Sequence, residues 1–551
     1  MLRRTNASAS KATSYARASR CRTRHQQPFG TYSQRTAAKS RPALPTVFIP
    51  TSSPTIARRF ASSGNRWFRH EAKAVARYTM TIWGLAAAAV VIGLCVNEEV
   101  LERYYPTPHE WKYMTRKYLR DANNYLNPQN GEVNWARALE LSRGVIIRLE
   151  DDKLDGQAVE KLSDKGDDTL EVPGEFIACN ITNKSQDWRR GYFEAMMLAA
   201  KAAEHVDGWV RDTTRNVVSP PQYVIGPSNP KPTPVPAGDP KAPREEDCVA
   251  AYPDADNWYM KLLATVGISP REKIEAALAY ASFLEFKSRL EEAEAFYALA
   301  LSEASRNLDQ SKLPFDPRTF TLHEKADLPS TNVLDSITAI ANFKARKGDL
   351  SSALPIYLSL LRARQSLSNE RPKAVKKATN VPIHTKLINL VSQPPYPVPQ
   401  SDGFQAPWRS PEEQCQEASL HLYIGEILYA SKSREDGVSW TRDGVDQAEE
   451  QLRGLKVIDK TPTTEKTCRE CLGTGLENWN VMVSNLALVE KRKGQAGNKQ
   501  GGMFSFFGGA EEVEGRWAAE EAVVAQRIRR TRELLEEIKP PNYLLSNWLK
   551  A

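Results

Sequence analysis

Residues 78–96 read YTMTIWGLAAAAVVIGLCV, nineteen consecutive positions without a charged side chain. As a helix this run is about 28 Å long, against a bilayer hydrocarbon core of about 30 Å. The chain is therefore expected to cross a membrane once, here. The flanks set the direction. Arg66, Arg69, Lys73 and Arg77 precede the run, and Glu98, Glu99 and Glu102 follow it; Lys and Arg stay on the side from which they need not be translocated. Tyr78 and Trp83 at one end, and Tyr104 and Tyr105 at the other, suit interfacial anchoring.

Composition before the run speaks of address. Residues 1–60 hold twelve Lys or Arg and no Asp or Glu, the first acid of the chain being Glu71. A basic, acid-free, Ser- and Ala-rich N-terminus is the signature of a mitochondrial presequence. Arg58-Arg59-Phe60 offers a cut after Phe60. The expected order is a presequence over 1–60, a matrix stub over 61–77 and a transmembrane helix over 78–96. The rest of the chain is then expected in the intermembrane space, anchored in the inner membrane.

The formal net charge is +8, and twelve positive charges lie in the leader, so the remainder carries −4. A nucleic-acid partner would need a concentrated Lys/Arg face on the working domain, and none is expected. Seven cysteines, Cys21, Cys95, Cys179, Cys248, Cys415, Cys468 and Cys471, are scattered without a framework, so disulfides are not expected to hold the fold. Cys468 and Cys471 form one CxxC without a second pair or nearby His, and read as an ordinary helical face rather than a redox or metal site. His205 and His421 lack partners at ligand spacing and read as packing residues. No phosphate loop, HExxH helix, GxSxG elbow or GxGxxG turn occurs. Catalysis, a metal and a cofactor are all unexpected.

Helical periodicity dominates the rest, and runs of strand period are scarce, so the fold class is all-α. Helices are expected over residues 109–126, 133–150, 186–215, 270–287, 290–306, 331–347, 350–366, 411–431, 443–455, 464–493 and 513–538. Nine prolines between Pro220 and Pro243 argue for an extended loop. The expected regions are an N-terminal helical part over 97–217, a Pro-rich loop over 218–253, helical repeats over 254–539 and a tail over 540–551.

Internal repetition supports the repeat assignment. EAALAYASFLEFKSRLEEAEAFYALALSEA from Glu275, DSITAIANFKARKGDLSSALPIYLSLLRAR from Asp335 and SLHLYIGEILYA from Ser419 align as helix pairs. These resemble tetratricopeptide repeats. Small residues, Ala281, Ala341 and Gly425, fall where two helices would cross, while Ala293 with Tyr297 and Ala353 with Tyr357 supply a small residue and an aromatic one turn on. Lys347-Gly348-Asp349 looks like the turn within a pair. The aligned small residues lie sixty and then eighty-four positions apart, so the repeats are divergent, with long insertions.

First helices of such pairs line a concave groove able to hold a peptide. The alignment assigns to it Glu275, Leu278, Ser282, Glu285 and Phe286, then Asp335, Thr338, Asn342 and Arg346. The loop GGMFSFFGG, with Met503, Phe504, Phe506 and Phe507, reads as a poorly ordered insertion or, alternatively, as an apolar contact for a partner, an unfolded substrate or the membrane.

Leader, single span and divergent repeats together resemble the fungal adaptor subunit of the mitochondrial inner-membrane i-AAA protease. The most specific local matches are YYPTPHEW at Tyr104, GWVRDT at Gly208 and ARKGDLSSALPIYLSLLRAR at Ala345. The resemblance implies a non-catalytic protein that binds unfolded or misfolded clients and hands them to protease subunits on other chains. The alternative is a receptor or assembly factor for respiratory or import complexes on the same scaffold.

Overall fold

The computed structural model describes residues 56–127, 133–162, 176–236, 241–309, 312–324, 328–370, 396–399, 401–431, 433–455, 462–500 and 515–536. The leader before residue 56, the Phe-rich insert and the tail over 540–551 lie outside the described residues. The chain is mostly helical, with thirteen α-helices and five short strands among the described residues.

Helix α1 (Ile56–Tyr104) is continuous over 49 residues. Its stretch from Trp67 to Tyr104 is long and apolar enough to cross a membrane. Leu85, Val90, Ile92 and Leu94 are each more than half exposed, whereas a helix of a soluble core would bury such side chains.

The part of α1 from residue 88 onward belongs to the helical domain and is tied to α2 (Tyr113–Tyr125) by charge. Glu102 is 3% exposed and receives Arg116 at 2.7 Å and also Arg120, itself 3% exposed. Glu98 pairs with Arg120 at 2.8 Å and with Lys117. Thr107 donates its hydroxyl to Glu102 at 3.0 Å and accepts from Arg116 Nε at 3.0 Å. Two members of the acidic flank thus serve as internal partners for buried arginines, as buried charge requires.

Helices α3 (Trp135–Glu150) and α4 (Gln186–His205) continue the domain. The helix expected over 186–215 stops at His205, because the Val-rich segment beyond it finds strand partners. Strand β3 (Val210–Asp212) pairs antiparallel with β4 (Val217–Ser219) on one side and β5 (Cys248–Ala250) on the other. The expected Pro-rich loop is therefore partly a three-stranded sheet. A second, two-stranded sheet joins β1 (Glu160–Lys161) to β2 (Cys179–Asn180). The β3–β4 pair is a short hairpin, whereas β3–β5 and β1–β2 join segments well apart in sequence, which a search for helical period cannot detect.

Helix α5 (Ala255–Ala264) was not anticipated; its ten residues are too few for a clear period. It is held by Lys261, whose ammonium lies 2.6 Å from the carboxylate of Glu150 with both side chains buried, while Tyr192 donates to the same carboxylate at 2.9 Å.

Two helical hairpins follow, α6 (Pro270–Phe286) with α7 (Leu290–Ala304), and α8 (Thr331–Lys347) with α9 (Leu350–Gln365). Their ends are set by sequence. Ser269 and Glu272 form a reciprocal capping box on α6, Ser330 caps α8, and Asp349 caps α9. Gly348 closes α8 with a φ of 93°, a left-handed conformation that suits glycine.

The last helices are α10 (Pro411–Ala430), α11 (Arg434–Leu455), α12 (Pro462–Gln500) and α13 (Arg516–Glu536). Helix α11 starts nine residues before the expected 443, since Val438 and Thr441 are buried and extend its apolar face. Helix α10 is apolar on two sides. Leu420, Ile424 and Ile427 join the core of the preceding helices, while Cys415, Ala418 and Leu422 join a second core with α11 to α13.

The expectation that disulfides play no part is overturned: Cys415 of α10 is bonded to Cys468 of α12, with Cα atoms 5.1 Å apart. The partners are 53 residues apart; only helix packing juxtaposes them. Cys471, one turn on from Cys468, is a buried free thiol that burial pushes up to about 11.

Candidate peptide-binding face

The positions assigned to packing are all buried. Ala281, Ala293, Ala341 and Ala353 have no exposed surface, and Tyr297 and Tyr357 are 3% and 1% exposed. Tyr297 on α7 lies against Phe343 on α8 with ring centroids 5.1 Å apart, and Tyr357 on α9 lies against Tyr423 on α10 at 5.5 Å. Each tyrosine bridges its own hairpin to the next helix, and aromatic pairs at this separation add to the burial term. At Gly425 an added Cβ would stand 2.4 Å from Thr441 Oγ1 and 2.9 Å from the carbonyl oxygen of Gly437. Close approach of α10 and α11 therefore requires glycine there.

Of the nine expected groove residues, five are engaged within the protein. Arg346 makes a two-pronged contact with Glu285, at 2.5 Å and 2.8 Å, and Tyr297 donates to Glu285 at 3.2 Å. Glu285 thereby holds both Tyr297 and Arg346 well above their ordinary pKa ranges, burial leading for the tyrosine and the hydrogen bond leading for the arginine. Asn342 accepts from Tyr357 at 2.7 Å, Asp335 pairs with Arg271 at 2.8 Å, and Thr338 donates to the Leu334 carbonyl at 2.6 Å.

The other four, Glu275, Leu278, Ser282 and Phe286, recur at three- and four-residue spacing on α6 and form one stripe. Leu278 is half-buried, Glu275 and Ser282 are exposed, and Phe286 is 83% exposed. The face can offer an apolar contact, a hydroxyl and an acid along one line.

At its Glu275 end the stripe meets a cleft of about 500 Å³ between the start of α4, the start of α6 and Pro399, Ser401 and Asp402. Arg189, Arg190, Arg271, Glu194, Glu272 and Asp402 line it, so both charge signs are present. Arg190 contacts Glu194 at 3.1 Å, donates to the Pro397 carbonyl at 2.9 Å and stacks on Tyr396 at 5.1 Å. Burial pushes the Glu194 carboxyl up, against the opposing pull of Arg190 and a hydrogen bond from Tyr396. None of these residues was singled out from the sequence. Tyr396 and Glu194 are 202 positions apart and carry no local motif.

His205 stacks on Trp135 with centroids 3.7 Å apart, and His421 lies 5.0 Å from Trp440. Burial lowers the pKa of both imidazoles. Among the described residues, no three His, Cys, Asp or Glu side chains come together as a metal site.

Comparison of the sequence with known protein families and with curated proteins returned no match.

Proposed function

We propose that this chain is a non-catalytic adaptor of the mitochondrial inner membrane, which binds unfolded or misfolded proteins and delivers them to the i-AAA protease. One span anchors it, and its soluble part is a divergent tetratricopeptide-type solenoid in the intermembrane space. The observation that carries this reading is the α6 stripe. Phe286 is 83% exposed on a helix whose opposite face is fully packed, and the stripe runs into a cleft of mixed charge. Phe286 and the half-buried Leu278 on one helix face are the kind of apolar anchors that a groove for segments of unfolded chains uses.

The helix pairs, their buried alanines and the inter-pair tyrosines support the repeat reading. The Cys415–Cys468 disulfide supports the compartment, because such bonds persist in oxidising surroundings and are rare where thiols are kept reduced.

The test is a pulse-chase of membrane-anchored, unfolded reporters in mitochondria with and without the protein. Slower turnover without it, with the protease still assembled and hydrolysing ATP, is expected. Phe286→Glu should restore association with the protease but not delivery. Equal half-lives, with no protease among co-purifying partners, would overturn the adaptor reading in favour of a receptor or assembly factor.

A further inference from the structure

Before the apolar run, α1 carries Arg69, Lys73 and Arg77 at four-residue spacing, all exposed and without an ion-pair partner among the described residues. At about 100° per residue they fall within about 80° of arc, a single stripe. Glu71, the acid of this segment, lies about 160° from Lys73 around the helix. Trp67 and Phe68, 65% and 66% exposed, also lie away from the stripe.

We propose that this stripe binds the phosphates of anionic phospholipids on the side of the membrane that faces the N-terminus. The inference rests on the membrane-spanning reading given above and goes beyond it by naming the lipid class. Depth carries the argument. If the hydrocarbon begins at Tyr78, a rise of about 1.5 Å per residue sets the Cα of Arg77 about 1.5 Å, that of Lys73 about 7.5 Å and that of Arg69 about 13.5 Å beyond it. The headgroup layer is about 5 to 7 Å thick on each side. Arg77 and Lys73 therefore reach it directly, and Arg69 stays within a screening length of about 8 Å. Three cations on one line with no protein acid beside them suit a surface of negative phosphates, which attracts juxtamembrane basic residues. An acidic protein partner would not need the stripe to abut the span.

The test uses the full chain in phosphatidylcholine nanodiscs containing phosphatidylglycerol as the minor lipid. After mild detergent extraction, the lipid retained by the chain is measured by mass spectrometry. Retained phosphatidylglycerol should exceed its bilayer share by about five-fold or more, the factor for one Lys or Arg near an anionic surface. The excess should shrink in high salt. In the triple variant Arg69→Gln, Lys73→Gln, Arg77→Gln it should vanish, and Lys466→Gln, an exposed residue on α12, should leave it intact. Equal retention in wild type and triple variant, an equal fall with Lys466→Gln, or displacement by inorganic phosphate would overturn the proposal. Alkaline carbonate extraction of the same protein from vesicles separates the two readings. Release would remove the span and the lipid site together; retention without lipid preference would remove only the lipid site.

Discussion

At the residue scale, Ala341 and Asp212 show how much one side chain can hold. Ala341 is fully buried in α8, and a larger side chain in a filled core typically costs about 1 to 3 kcal/mol. Ala341→Leu is expected to lower the melting temperature of the helical domain, while Phe286→Glu on the open face should leave it unchanged; thermal unfolding of both variants checks this. Asp212, on β3, accepts from the Thr214 hydroxyl at 2.6 Å and from Arg215 at 2.7 Å. The Thr214 hydrogen bond and then Arg215 outweigh burial and hold its carboxyl down to about 2, below the ordinary 3.8. A folded-state pKa that is depressed means stability present above 3.8 and lost as pH falls through that window. Melting of the wild type should decline between about pH 4 and 2 more steeply than that of Asp212→Asn. Parallel acid limbs would show that the Asp212 interactions are not made in solution.

At the scale of elements, the C-terminal bundle depends on α10, which serves two cores, and on the bond that ties it to α12. A cross-link closing a loop of this length contributes about 4 kcal/mol in the chain-entropy account. Packing of Leu422, Val445, Leu472 and Trp479 remains without it. Cys415→Ser is therefore expected to fold but to melt at lower temperature, and reduction of the wild type should reproduce the shift. Thiol labelling of the unfolded, unreduced protein checks the pairing: Cys95, Cys179, Cys248 and Cys471 should react, and Cys415 and Cys468 should not. Labelling of both would refute the bond.

At the scale of the whole molecule, topology is the consequence to test. Under the proposed topology, which keeps the basic flank before residue 78 in the matrix, protease added to mitoplasts with an intact inner membrane should digest the helical domain. Intact mitochondria should protect it. Digestion in intact mitochondria would place the domain on the outer surface, and protection in mitoplasts would place it in the matrix.

What the sequence by itself determined was whatever local chemistry encodes. The run over 78–96, the caps at Ser269, Ser330 and Asp349, the Gly348 turn and the small and aromatic positions of α6 to α9 follow from spacing along one helix or across one turn. The tertiary structure decided everything that joins distant segments. It paired β3 with strands on both sides of the Pro-rich stretch, joined Cys415 to Cys468, turned the acidic flank of α1 toward Arg116 and Arg120, and built the cleft around Arg190, Glu194 and Tyr396. It also divided the expected groove, because Glu285, Arg346, Asn342, Asp335 and Thr338 find partners within the protein while Phe286 does not. The physical reason is common to all of these. Helical period reports which side of a helix is apolar, but which polar groups meet across helices depends on how those helices pack, and packing is a property of the assembled chain.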